Sequence, residues 1–159
     1  MNTSVGQILG TRLGKELSED EADKLAKLMQ LRELAGGEYL IEEGTLDDSL
    51  YVTIDGNLEV VKRTGSDGIA SIAIIREGEL AGELSFIDGE AHTVGLRALS
   101  SGKVLSLSRK SFEAVIDQDP QLMYKVMRAV ARSAHHIVHQ MNHEFVELNN
   151  YIFKQHGRY

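Results

Sequence analysis

Two stretches of this chain carry residues whose types and spacing could do chemistry. The first is GELSFIDGEAHTV, residues 82–94, in which glycines, Glu83, Ser85, His92 and Thr93 make up a short polar loop of the kind that holds an anionic phosphate. It contains no arginine or lysine. From Arg76 to Val94 five acids (Glu77, Glu79, Glu83, Asp88 and Glu90) stand against Arg76 alone, a net charge of −4 with histidine neutral. A phosphate would therefore approach a negative rim. The second stretch holds His135, His139 and His143, which recur every fourth residue and so form one stripe on a helix, each step turned by about 40°. Imidazoles at i and i+4 share a zinc ion, and two such helices side by side would complete a tetrahedral site. A solvated polar face accounts for the same pattern, and no HExxH motif gives an ion a catalytic partner.

Other chemistries are excluded by type. The chain has no cysteine, so thiolate zinc sites, disulfides and cysteine nucleophiles are impossible. It has no GxSxG elbow, no Walker loop and no GxGxxG turn, and its carboxylates are scattered over turns, as at Glu42-Glu43 and Asp47-Asp48. No enzyme is expected. A formal charge of −7 and a pI near 5.3 argue against a direct nucleic-acid partner, which demands clustered Lys and Arg. The start MNTSVGQILGTRLGKEL lacks the marks of a secretory leader and no run approaches a membrane span, so the sequence predicts a cytoplasmic protein without a membrane partner.

The elements that must position these residues can be read from periodicity. With 159 residues and 42% hydrophobic content, one domain is expected. Ser18 followed by Glu21 reads as a capping box, opening a helix to about Leu34 that ends at Gly36-Gly37; residues 1–36 form an N-terminal helical segment. Residues 37–108 are short apolar runs broken by Gly, Asp and Ser, as in an antiparallel sandwich or barrel, with Leu50, Val52 and Ile54 on one face and Asp55-Gly56 as a hairpin turn. Residues 109–159 are helical. After Pro120 no Gly or Pro occurs until Gly157, and residues 121–154 read as one long helix. Its apolar stripe, Met123, Met127, Val130, Ala134, Ile137 and Met141, alternates four and three residues, and Phe145, Leu148 and Ile152 extend it after a slip. Met127, Val130, Ala134, Ile137 and Met141 are thus the expected seam of a parallel homodimer. Folding of the helix back on its own barrel is the alternative for its first turns.

The order of parts resembles a known family. A helix, then GGEYLIEEGTLDDSLYVTIDGNLEVVKR, EGELAGELSFIDGEAHTVGLRAL, and LSRKSFEAVIDQDPQL with a long helix is similar to the cyclic nucleotide-binding domain of bacterial catabolite-activator-type regulators. Gly56, Gly78-Glu79, Gly82-Glu83 and Phe112 before Pro120 stand in the family's order. The resemblance implies a mainly β fold with flanking helices (α+β by content): an antiparallel jelly-roll barrel with an N-terminal helix and a long C-terminal one. It also implies a phosphate-binding cassette within residues 78–95. There Gly82, Leu84 and Ser85 would supply the turn and backbone donors, Glu83 would accept from a ribose hydroxyl, and Thr93 would offer its own hydroxyl.

The family's arginine is here His92. A neutral imidazole offers a phosphate one donor and no charge, and losing such a charge-assisted contact costs about 2–5 kcal/mol, on the order of 30- to several-thousand-fold in affinity. Arg97, the next cation along, lies in the following strand. In the activator, adenine is read by hydroxyls of the long helix at positions that here are Ile137 and Val138. The chain stops at Tyr159 without the helix-turn-helix that follows in such regulators. The expectation is a sensor module binding cyclic AMP or cyclic GMP weakly; a dimerisation module that has lost its ligand is the alternative.

Overall fold

The computed structural model describes residues 3–156. Two helices come first, α1 (Thr3–Leu9) and α2 (Glu19–Ala26). The capping box at α2 forms as expected: Ser18 Oγ accepts from the Glu21 N–H at 3.2 Å, and Glu21 Oε1 accepts from the Ser18 N–H at 3.1 Å. Ala22 and Leu25 are buried on its inner face.

The expected continuation of this helix to Leu34 does not occur. Met29–Leu34 is instead strand β1, antiparallel to β8 (Gly102–Leu107), with Met29 opposite Leu107 and Leu34 opposite Gly102. Leu, Arg and Glu are good helix formers, but here they supply the partner that β8 needs along its open edge, and tertiary pairing overrides a weak local preference.

The remaining strands are β2 (Tyr39–Ile41), β3 (Leu50–Asp55), β4 (Leu58–Arg63), β5 (Ile69–Ile75), β6 (Leu80–Ala81) and β7 (Gly95–Ala98). They form two four-stranded antiparallel sheets, β1-β8-β3-β6 and β2-β7-β4-β5. The jelly roll expected from the sequence is therefore present. Asp55-Gly56 is nevertheless not a hairpin turn, because β3 and β4 belong to different sheets. Gly56 turns the corner between them with φ +78°. A Cβ there would lie 3.1 Å from the Ser101 carbonyl oxygen, and one on Gly102 would lie 2.2 Å from that of Asp55. The two sheet-to-sheet corners thus pass in contact, which only glycine permits. The true hairpin is β4–β5, turning through the SDG segment.

Two apolar cores result. One packs α1, α2, Phe86 and the start of the long helix against Leu50, Val52, Leu105 and Leu107. The other fills the space between the sheets, where Val60 of β4 stands between its register partners Leu96 of β7 and Ala73 of β5. After α4 (Arg109–Glu113), whose start is capped by Ser108, comes α5 (Pro120–His156), 37 residues and about 55 Å long. Proline suits its first position because that N–H has no intrahelical partner. Asp119 accepts from the Leu122 N–H at 3.1 Å.

The first half of α5 lies on its own barrel. Leu122, Val126, Val130 and Ser133 are buried at spacings of four, four and three, and Ile137 packs on the inter-sheet core. Val130 is 0% exposed. It belongs to the intrachain core and corrects the expected seam at that position; Met127 also packs on this core, and Ala134 is half-buried. Of the five seam residues, Met141 alone is exposed. Lys125 donates to Glu21 at 2.7 Å, and Arg128 and Arg132 both pair with Glu16, fastening α5 to the N-terminal helices. Beyond Ile137 the helix carries exposed Val138, Met141, Phe145 and Leu148.

Candidate functional site

The segment between β6 and β7 folds as a single short helix, α3 (Glu83–Asp88), bracketed by Gly82 and Gly89 in the left-handed region at φ +74° and +73°. At Gly82 a Cβ would also lie 3.0 Å from the Ser49 carbonyl oxygen, so both backbone angle and space demand glycine there. Glu83, Ser85 and Phe86 point inward and Leu84 outward, 62% exposed. Phe86 anchors the turn against Phe112, with ring centroids 5.4 Å apart.

Glu83 is 4% exposed, and its Oε1 accepts from Ser133 Oγ of α5 at 2.9 Å. Burial pushes its carboxyl above the ordinary carboxylate range, and the hydrogen bonds from its own backbone N–H and then from Ser133 only partly offset this. The sequence singled out Glu83, but its partner lies 50 residues away on a helix read for its apolar stripe and its histidines. Ser133 was therefore missed.

His92 is buried, and both ring nitrogens are engaged within the protein. Nε2 lies 2.7 Å from the Asp47 carbonyl oxygen and Nδ1 3.2 Å from Ser85 Oγ. A carbonyl only accepts, so Nε2 carries the proton, and in the neutral ring Nδ1 accepts from the serine hydroxyl. The backbone of His92 is tied to the same loop: its N–H donates to the Thr45 carbonyl at 2.9 Å, and its carbonyl accepts from the Gly44 N–H at 2.7 Å. His92 thus zips the end of the cassette to residues 44–47. Asp47, one of the carboxylates the sequence scatters over turns, accepts from the Tyr51 hydroxyl at 2.6 Å and the Ser49 N–H at 3.0 Å. Burial first, then the Asp47 carboxylate, push the Tyr51 phenol up.

Thr93 is exposed, and its carbonyl accepts from Lys62 Nζ of β4 at 2.7 Å. Lys62 is a cation beside the cassette that linear reading overlooked, because it lies 31 residues away. Its charge is matched by Glu43 at 2.8 Å. Arg97, the other nearby cation, pairs with Glu59 and lies 5.8 Å from the centroid of the Tyr39 ring. It shares the Tyr39 and Glu59 register, one residue out of step with Leu96 and Ala98 of the inner face.

On that inner face Val60, Ala73, Ile75 and Leu96 are joined by half-buried Ile72, Val94 and Ile137. Two surface cavities, of about 700 and 310 Å³, share Tyr39 and Glu42; neither is lined by Glu83, Leu84, Ser85, His92 or Thr93. His135 and His139 are exposed, and His143 pairs with Glu147 at 3.1 Å. Among the described residues no three His, Cys, Asp or Glu side chains converge as a metal site would require. His136, outside the stripe, lies 3.5 Å from buried Glu79, which also meets Arg12 at 3.4 Å.

Two four-stranded antiparallel sheets with a short helix inserted between β6 and β7 and a long C-terminal helix place the fold among the jelly rolls of the cyclic-nucleotide-binding type. Residues 31–119, more than half of the chain, match the sequence model of the cyclic nucleotide-binding domain, and the chain belongs to that family. Over 143 residues it is 28% identical to the neuropathy target esterase sws of Drosophila melanogaster, a match that takes in 86% of this chain and 10% of that protein. The chain thus spans about a tenth of the length of the fly relatives it matches. A cyclic nucleotide-binding domain from Methylobacillus flagellatus superimposes with a TM-score of 0.73 at 24% identity, covering 95% of this chain and 83% of that one. The N-terminal domain of a transcriptional regulator from Streptomyces coelicolor gives 0.71 at 27% identity, covering 81% and 92%. No helix among the described residues is long and apolar enough to cross a membrane.

Proposed function

We propose that this chain is a single-domain, non-enzymatic regulatory module that takes a cyclic nucleotide, cyclic AMP or cyclic GMP, weakly at a cassette altered at His92. Ligand occupancy then biases the position of α5. The observation that carries the reading is the commitment of both His92 ring nitrogens to Ser85 and Asp47, at the place where the family motif puts a guanidinium. With Lys62 and Arg97 matched by Glu43 and Glu59, a bound phosphate finds no free cation among these three side chains. Backbone N–H groups, Thr93 and Glu83 remain to hold the ligand, which suits millimolar affinity rather than micromolar. A site signals only through binding energy that differs between two arrangements, and α5, in contact with the cassette at Glu83, is the element placed to respond.

Calorimetric titration with cyclic AMP and cyclic GMP tests this. The parent chain is expected to bind with a dissociation constant near millimolar, and His92→Arg to tighten it by at least 30-fold. Submicromolar binding by the parent would sink the reading, and an unchanged affinity in His92→Arg would sink the cassette assignment.

The second reading, a dimerisation module without a ligand, is favoured by Ser133 already sitting on Glu83. Both readings share a parallel homodimer through the distal half of α5, and a cytoplasmic location without DNA as a direct partner. Absence of any thermal shift with millimolar nucleotide in both parent and His92→Arg would select the second.

A further inference from the structure

Two residues of α5 stand one helical turn apart on the side that meets the cassette. Ser133, 4% exposed, donates to Glu83 at 2.9 Å, and Ile137 packs on the apolar cluster of Val60, Ala73 and Leu96 together with Ile72 and Val94. In the reading above, on which this inference rests, Glu83 is the acceptor for a ribose hydroxyl. A serine hydroxyl offers a carboxylate the same donor as a sugar hydroxyl. An isobutyl-sized side chain offers an apolar sheet face the same kind of contact as the flat of a base. Each half of a nucleoside thus has a counterpart already in place.

We propose that α5 is a tethered competitor for the cassette, with Ser133 standing on Glu83 where the ligand's sugar would stand and Ile137 covering the apolar face where its base would lie. Because Glu83 and Ser133 are both almost fully buried, a sugar hydroxyl reaches the carboxylate only after Ser133 leaves it. Nucleotide capture and release of the middle of α5 are then one event. A competitor carried on the same chain acts at an effective concentration on the order of millimolar, and it lowers apparent affinity by the fraction of molecules in which it is docked. The consequence reaches the far end, since a helix moves as a rod and nineteen further residues of α5 follow Ile137. His92 and Ser133 therefore weaken binding by separate routes: one is a cation that is not there, the other a donor that is already in place.

Two measurements test this. The first needs no nucleotide. Hydrogen exchange of the full chain is expected to speed up in α3 and in α5 around residues 130–140 in Ser133→Ala, with protection retained in Ser133→Thr, which keeps the hydroxyl. Equal protection in parent and Ser133→Ala would overturn the latch. The second is titration of cyclic AMP into His92→Arg with and without Ser133→Ala. Adding the alanine should tighten binding by at least about tenfold, the low end for a hydrogen bond to a charged group. An unchanged or weaker affinity overturns the competitor while leaving the functional reading intact: unchanged, Ser133 does not compete; weaker, it helps to hold the ligand. If His92→Arg takes up no cyclic AMP at millimolar concentration, the functional reading falls, and the exchange measurement alone decides whether Ser133 latches the cassette.

Discussion

His92 and Glu83 differ in how their surroundings treat charge. His92 is paired at both nitrogens and holds two loops together, whereas Glu83 is a buried acid with one hydroxyl partner. The folded-state pKa of Glu83 lies above its ordinary value of 4.5, with burial the leading cause. The stability it contributes is therefore fully present below that value and is lost as pH rises through the folded pKa. Glu83→Gln keeps an acceptor for Ser133 but cannot ionise. Its melting temperature is expected to gain on that of the parent as pH is raised from 4.5 toward 8, a trend that thermal melts at constant ionic strength would read. A constant offset across that range would show that Glu83 is not held up by burial. His92→Arg removes one buried and one part-buried hydrogen bond even as it supplies a cation, so its melting point without ligand should fall while its ligand-dependent shift grows.

At the scale of elements, α2 is held by its cap and by α5. Ser18→Ala should cost about 1 kcal/mol, lowering the melting temperature by roughly 2–4 °C in a chain of this length. Glu21 serves both the cap and Lys125. The hydrogen bond from Lys125, then that from the Ser18 N–H, hold its carboxyl below the ordinary range. Its contribution is present above the ordinary value and is lost as pH falls through the lowered folded value, opposite in sign to Glu83. Acid titration of Glu21→Gln should show a shallower loss of stability below pH 4.5 than the parent. Along α5 the two halves should answer differently to truncation. Leu122→Ala, in the core at 1% exposure, should cost about 2–5 kcal/mol in denaturant unfolding. Leu148→Ala, 57% exposed, should cost the isolated chain almost nothing.

For the whole molecule, the distal half of α5 is the feature that points beyond one chain. Val138, Met141, Phe145 and Leu148 follow one another at three, four and three residues and are 38–64% exposed, the spacing of a coiled-coil seam with no second long helix among the described residues to cover it. A second copy is the partner whose seam matches by construction. Sedimentation should find a dimer in the parent and a monomer in Phe145→Asp/Leu148→Glu with the barrel still folded. A parent that sediments as a monomer at micromolar concentration would remove the homodimer from the proposal.

Local patterns carried much of this in advance. The alternation of Leu50, Val52 and Ile54, the Ser18–Glu21 box, the uninterrupted helix after Pro120 and the glycines flanking Glu83 depend on neighbours within a few residues, and periodicity or turn geometry reads such dependence directly. Three features could not be read that way. Met29–Leu34 became a strand because β8, far along the chain, lay waiting to pair with it, Asp55-Gly56 became a corner because its two strands joined different sheets, and Val130 left the expected seam for the core of its own barrel. The candidate site divides along the same line. The residue types at 83, 85, 92 and 93 stand in the linear order, but Ser133 on Glu83, Asp47 on His92 and Lys62 on Thr93 arise from contacts across 50, 45 and 31 residues. Sequence by itself determined which groups were available and which short elements would carry them; the tertiary structure decided which of those groups were already spoken for. Hydrogen bonds and burial act between atoms at contact distance, and only the folded chain brings distant residues to it.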